Sequence, residues 1–218
     1  MRKLKWFVLA LCTAVMTLMM TACGEKFDPA AYVQASLDAA LHGEFASYME
    51  LTGATEEEAE EEFGDILKEF NEEIGEIGLS DSVNEQYEQL MTDLCRKTKY
   101  QVKGSREVEG GYEVDVEIEP ITNVFDAEAL EQGLTDEVDD YLSEVMASGK
   151  IQSEEEITQW AGEKMYALLA EKVDNIEYGD PKTVTIKIEK TDGSYAPDDT
   201  DLEEALVLML GADAFLES

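Results

Sequence analysis

The chain has 218 residues, with 51 Asp or Glu against 16 Lys or Arg and a formal net charge of −35 at pH 7. That charge repels a phosphate backbone and excludes nucleic acid as a partner. Hydrophobic residues at 44% and only four prolines argue against a disordered acidic polymer, and the length suits one folded domain.

Arg2, Lys3 and Lys5 make a cationic start, and Trp6 to Met20 is an apolar run without a charge. The run is too short to cross a ~30 Å hydrocarbon core comfortably as a helix. With the small residues Thr21 and Ala22 after it, it reads as an export signal covering residues 1–22. Met20-Thr21-Ala22-Cys23 resembles the lipobox of bacterial lipoprotein precursors, with Met20 where that pattern prefers leucine. The resemblance implies cleavage between Ala22 and Cys23 and lipid, palmitate included, on Cys23. Two acyl chains on one cysteine suffice for stable anchoring. Residues 23–27 are then a short tether, and residues 28–218 a single acidic domain held at the outer face of the cell membrane.

Loss of the signal removes three basic residues and no acid, so the net charge moves to about −38. Anionic head groups are repelled, and the lipid alone must anchor. With Cys12 removed and Cys23 lipidated, Cys95 remains by itself and no intramolecular disulfide forms.

Asp28-Pro29 reads as an N-cap followed by proline at the first helical position, and Gly43 as the stop. Phe45, Tyr48 and Leu51 predict a short second helix. Thr55-x-x-Glu58 is a capping box opening a longer one, with Ala59, Phe63, Ile66, Phe70, Ile74 and Ile77 on one face. The acidic run Glu56–Glu62 occupies its first turns, where negative charge suits the helix dipole. Ser80 is expected to cap the next helix, in which Val83, Tyr87, Leu90, Leu94 and Cys95 form an apolar stripe. Cys95 is expected there as a small buried hydrophobe.

At Lys99 the period changes to two. Tyr100, Val102 and Val108 are assigned to one strand face, and Tyr112, Val114, Val116 and Ile118 alternate with acids in the next strand. A two-residue Gly110-Gly111 turn would set Val108 opposite Glu113. A three-residue Glu109-Gly110-Gly111 loop sets Val108 opposite Tyr112 and Val102 opposite Ile118, so the longer loop is predicted.

Helical periods return over Asp126–Met146 and after the capping box Ser153-x-x-Glu156. A third strand carries Val184, Ile186 and Ile188, and Asp192-Gly193 turns the chain back towards Tyr195. Thr200-x-x-Glu203 is expected to cap a last helix, Leu202 to Leu210, stopped by Gly211. The fold class predicted is α+β, an antiparallel sheet of two hairpins covered by helices.

Pro120-Ile121, Tyr178-Gly179-Asp180-Pro181 and Asp192-Gly193-Ser194-Tyr195-Ala196-Pro197 look like segments of uncharacterised Firmicutes lipoproteins. That resemblance spans residues 28–211 and implies a cystatin/NTF2-like curved sheet, here with a helical insertion between the hairpins. It implies a location and a fold, and no catalytic residues.

His42 is the single histidine, so Ser-His-Asp or Cys-His catalysis would have to use it. Its place before Gly43 suits a cation at a helix C-terminus. No P-loop, dinucleotide fingerprint or nucleophile elbow is present. No catalytic residue, metal ligand or cofactor is assigned. Asp198-Asp199-Thr200-Asp201 lacks the spacing of an EF-hand loop and reads as a helix cap, with a weak Ca²⁺ site as the sharper reading.

Arg96, Lys97, Lys99, Lys103 and Arg106 form the one basic cluster. They read as cross-strand partners, Lys103 facing Glu117, or as a docking patch for an anionic partner. The function expected is non-enzymatic binding by a membrane-anchored extracytoplasmic domain, with an unknown protein or small-molecule partner in the cell envelope. The alternative is an extracytoplasmic hydrolase acting through paired carboxylates.

Overall fold

The computed structural model describes residues 27–60, 77–148, 153–191 and 194–212. The expected signal, the Ala22–Cys23 cleavage site, residues 61–76 of the third expected helix and the Asp192-Gly193 turn lie outside these residues.

Local signals act where the sequence puts them. Asp28 Oδ1 accepts from the Ala30 and Ala31 amides, each at 3.1 Å, and opens helix α1 (Pro29–Leu37). Proline at the first position forfeits an amide that would have no helical partner anyway. The helix continues as one π turn, Asp38–His42, and Gly43 ends it at φ 70°, the left-handed region open to glycine. Helix α2 (Ala46–Thr52) follows; it buries Tyr48 but leaves Leu51 exposed. At the next start the Thr55 amide donates to Glu58 Oε2 at 2.8 Å, and the Glu58 amide donates to Thr55 Oγ1 at 3.3 Å. That is the expected capping box, and Ala59 behind it is buried.

Helix α3 (Asp81–Arg96) buries the expected stripe, Cys95 included. Ser80 stands at its N-cap with extended backbone, but its side chain does not cap. Instead Ser80 Oγ accepts from Gln159 Nε2 at 3.1 Å, and its amide donates to Gln159 Oε1 at 2.9 Å. A tertiary partner has taken the hydroxyl that local reasoning assigned to the helix.

The first hairpin pairs β1 (Lys99–Val108) with β2 (Gly111–Glu119). Its register corrects the expectation. Val108 pairs with Gly111 across a two-residue Glu109-Gly110 turn, and Val102 pairs with Val116 rather than Ile118. Lys103 is the extra residue of a bulge between Val102 and Gly104, and one inserted residue exchanges the faces of the strand beyond it. Tyr100 and Val102 keep the inner face, whereas Val108 falls on the outer face with Arg106. On β2 the alternation holds, and Val114, Val116 and Ile118 are all fully buried.

Helices α4 (Ala127–Ser148) and α5 (Glu154–Asp174) form the excursion between hairpins, with Tyr141 stacked on Trp160 at 4.2 Å. The Ser153–Glu156 capping box is present in full. β3 (Lys182–Thr191) returns to lie antiparallel to β2, Val116 opposite Val184 and Val114 opposite Ile186, and β4 (Ser194–Pro197) completes one antiparallel sheet in the order β1-β2-β3-β4. Two of the motifs behind the family resemblance meet here: Ile121 bridges Tyr178, and the Gly179 amide donates to the Pro120 carbonyl at 2.8 Å. The last helix, α6 (Asp199–Leu210), is capped by Asp198 rather than Thr200. Asp198 Oδ1 accepts from the Thr200 and Asp201 amides at 3.0 and 3.1 Å.

The architecture is α+β, as the periods predict. Helices α1 and α6 lie on the inner face of the sheet, and α3 and α4 pack on α5. The core joins Val114, Val116, Ile118, Ile186 and Ile188 to Tyr32, Leu37, Leu94, Leu202 and Met209. Burying each such aliphatic side chain is worth about 1.5–3 kcal/mol.

Candidate functional site

Gln34, Asp38 and His42 recur at intervals of four and so share one face of the first helical segment, at the edge strand β1. Gln34 Oε1 accepts from the Val102 amide at 3.5 Å, a long contact that partly covers an unpaired edge. Asp38 Oδ1 accepts from Gln34 Nε2 at 2.8 Å and from the Tyr100 hydroxyl at 2.6 Å. His42 stacks on the Tyr100 ring, centroids 5.3 Å apart. The π turn that carries Asp38 and His42 belongs to a class of helical distortion frequent at functional sites.

Thr98 Oγ1 donates to the Cys95 carbonyl at 2.7 Å and lies 3.4 Å from His42 Nε2, while His42 Nδ1 lies 4.0 Å from Asp38 Oδ1. Burial, then the Asp38 carboxylate that it donates to, push the Tyr100 phenol well above its ordinary range. It remains a donor at any physiological pH.

These side chains line a groove of about 470 Å³ together with Lys99, Gln101, Glu117 and Glu119. Three carboxylates and one lysine line it, and Lys103 pairs with Glu117. Asp38 and His42 are each about a quarter exposed, so both are reachable from solvent.

Four of the five bases of the cluster have partners within the fold. Lys97 Nζ donates to the Val173 carbonyl at 2.8 Å, tying the end of α3 to the end of α5. Lys99 Nζ lies 3.6 Å over the Tyr178 ring and 3.9 Å from Glu119. Lys103 meets Glu117 at 2.6 Å, and Arg106 pairs with Glu113 and with Asp115. The Lys103–Glu117 contact was expected; the bulge delivers it although Gln101 is the residue directly opposite Glu117. Arg96 is exposed and has no ion pair among the described residues.

Asp201 accepts from the Lys187 amide at 2.9 Å, and its carboxylate lies 3.4 Å from Lys187 Nζ, while Asp198 caps α6. Among the described residues no group of three or more His, Cys, Asp or Glu is placed to hold a metal ion. Cys23 and Ala22 lie outside the described residues. Gln34, Asp38 and Thr98 were not singled out from the sequence, and Tyr100 was read only as a strand residue. The four-residue spacing of Gln34, Asp38 and His42 was the one signal that could have found three of the groove's residues.

No family model matches the chain, and no curated protein matches it. Among solved structures, the putative lipoprotein ycdA of Bacillus subtilis is similar, with a TM-score of 0.56 and 18% identity over 83% of this chain and 55% of that one. The chain thus spans about half the length of that structure, and at this identity the likeness is one of fold.

Proposed function

We propose that the chain is a lipoprotein anchored by acyl chains on Cys23 at the extracytoplasmic face of the membrane, and that its folded domain binds a small cationic ligand in the Asp38–His42 groove without chemical change. Anchoring is supported by the lipobox at Met20–Cys23 and by the likeness of fold to a protein named as a lipoprotein. No helix among the described residues is long and apolar enough to cross a membrane.

One observation carries the binding reading. The Asp38 carboxylate and the His42 imidazole lie side by side, 4.0 Å apart and reachable from solvent, in a groove shared with Glu117 and Glu119. A groove lined by three carboxylates suits a ligand bearing N–H donors and positive charge. The acidic surface draws such a ligand in, because a cleft of one sign concentrates its counter-ions. Two hydrogen bonds already hold Asp38 in place, which favours fixed recognition over proton transfer.

Because His42 is the single histidine, its imidazole gives one unambiguous NMR signal. Titration with 1,4-diaminobutane should move that signal saturably, succinate should not, and Asp38→Asn should weaken the response at least tenfold. Equal responses to the two probes, or a response unchanged in Asp38→Asn, would overturn the reading.

A further inference from the structure

Phe27 is where the described chain enters the fold, and three rings hold it. It stacks on Tyr195 with centroids 4.1 Å apart and planes 4° from parallel, and it lies 5.6 Å from Tyr32 and 5.7 Å from Tyr112. Tyr112 is the second residue of β2, beside the Glu109-Gly110 turn, and Lys190 Nζ sits 5.2 Å from the Tyr195 ring. The groove belongs to the opposite end of the same ladder, where Lys99 and Gln101 open β1 and Glu117 and Glu119 close β2.

Two independent rulers give the separation. Five to seven strand residues from Tyr112 to Glu117 and Glu119 span about 17–23 Å. Ten helical residues from Asp28 to Asp38 span about 15 Å. Residues 24–27 reach at most ~14 Å from Cys23, so a pinned Phe27 leaves the domain little freedom to turn over.

We infer that the β1–β2 turn end of the sheet is the surface held against the lipid bilayer, and that the Asp38–His42 groove opens away from the membrane towards a water-borne ligand. The inference rests on the Cys23 anchor proposed above. Glu107, Glu109 and Glu189 outnumber Lys190 at the turn end, so the tether and the ring cluster, rather than attraction to head groups, set the orientation.

The test uses the full chain, processed in a lipoprotein-forming bacterium and reconstituted in phosphatidylcholine vesicles that carry a head-group nitroxide lipid. A fluorophore is placed at Glu109→Cys or at Gln101→Cys, both exposed positions. Cys95 is buried and stays unlabelled. Quenching at least twofold greater at position 109 than at 101 is expected, and Phe27→Ala should bring the ratio towards one while the protein stays attached. Equal quenching, or stronger quenching at 101, on vesicle-bound protein overturns the orientation alone. Failure to bind vesicles, matching Cys23→Ser, overturns the anchor and the orientation with it.

Discussion

The Tyr100 hydroxyl donates to Asp38 Oδ1 at 2.6 Å across 62 positions of sequence, joining the first strand to the first helical segment. A hydrogen bond to a charged acceptor is worth about 1.5–3 kcal/mol. Gln34 remains as a second donor when the hydroxyl is removed, so Tyr100→Phe should cost about 1–2 kcal/mol. Asp38→Asn, which weakens both bonds, should cost at least as much. Urea midpoints check both, and an unchanged midpoint in Tyr100→Phe would show the bond contributes nothing to folding.

Two glycines give a matched pair. Gly53 has φ 77° with open space around an added Cβ, whereas at Gly211, φ 67°, that atom would fall 1.7 Å from the Ile121 carbonyl oxygen. Gly53→Ala should cost about 1–2 kcal/mol, the price of a left-handed backbone with a side chain. Gly211→Ala should cost several kcal/mol more, because the segment that also takes the Ile121 amide to the Met209 carbonyl at 3.1 Å must move. Thermal melts of the two variants that shift equally would contradict this packing.

Burial pushes the Cys95 thiol up to about 12, and it raises the Tyr87 and Tyr100 phenols as well. A folded-state value above the unfolded one means the folded chain keeps protons that the unfolded chain gives up. The stability from Cys95 is therefore fully present below about pH 8.5 and is lost towards pH 12, at up to about 1.4 kcal/mol per pH unit. Urea midpoints should fall between pH 8.5 and 10.5, less steeply in Cys95→Ala. In a chain of residues 24–218 the thiol should react with a disulfide reagent only after urea is added. Reaction at the unfolded rate in native buffer would show the thiol is exposed.

What was legible in the sequence was local. Asp28-Pro29, both capping boxes and the stripe of α3 depend on neighbours within four residues, and all formed as read. The strand alternation of β2 and β3 likewise fixed the inner face of the sheet. The misreadings came where a distant group or a single inserted residue decided the outcome. Lys103 bulges and flips half of β1, which a period of two cannot register. Ser80 gave its hydroxyl to Gln159, and within the Asp198–Asp201 stretch read as a helix cap it is Asp198, not Thr200, that caps. His42 was read as a helix terminus, which it is, but its meeting with Tyr100 and Thr98 needs the folded sheet edge.

Anchorage through Cys23 is tested most directly by growing producing cells with an alkyne-bearing fatty acid and following click-detected label on the chain. Label should run with the wild-type protein in the membrane fraction, and Cys23→Ala should lose both the label and the membrane association. Undiminished label on Cys23→Ala, or an unlabelled wild-type chain, would contradict the lipoprotein reading.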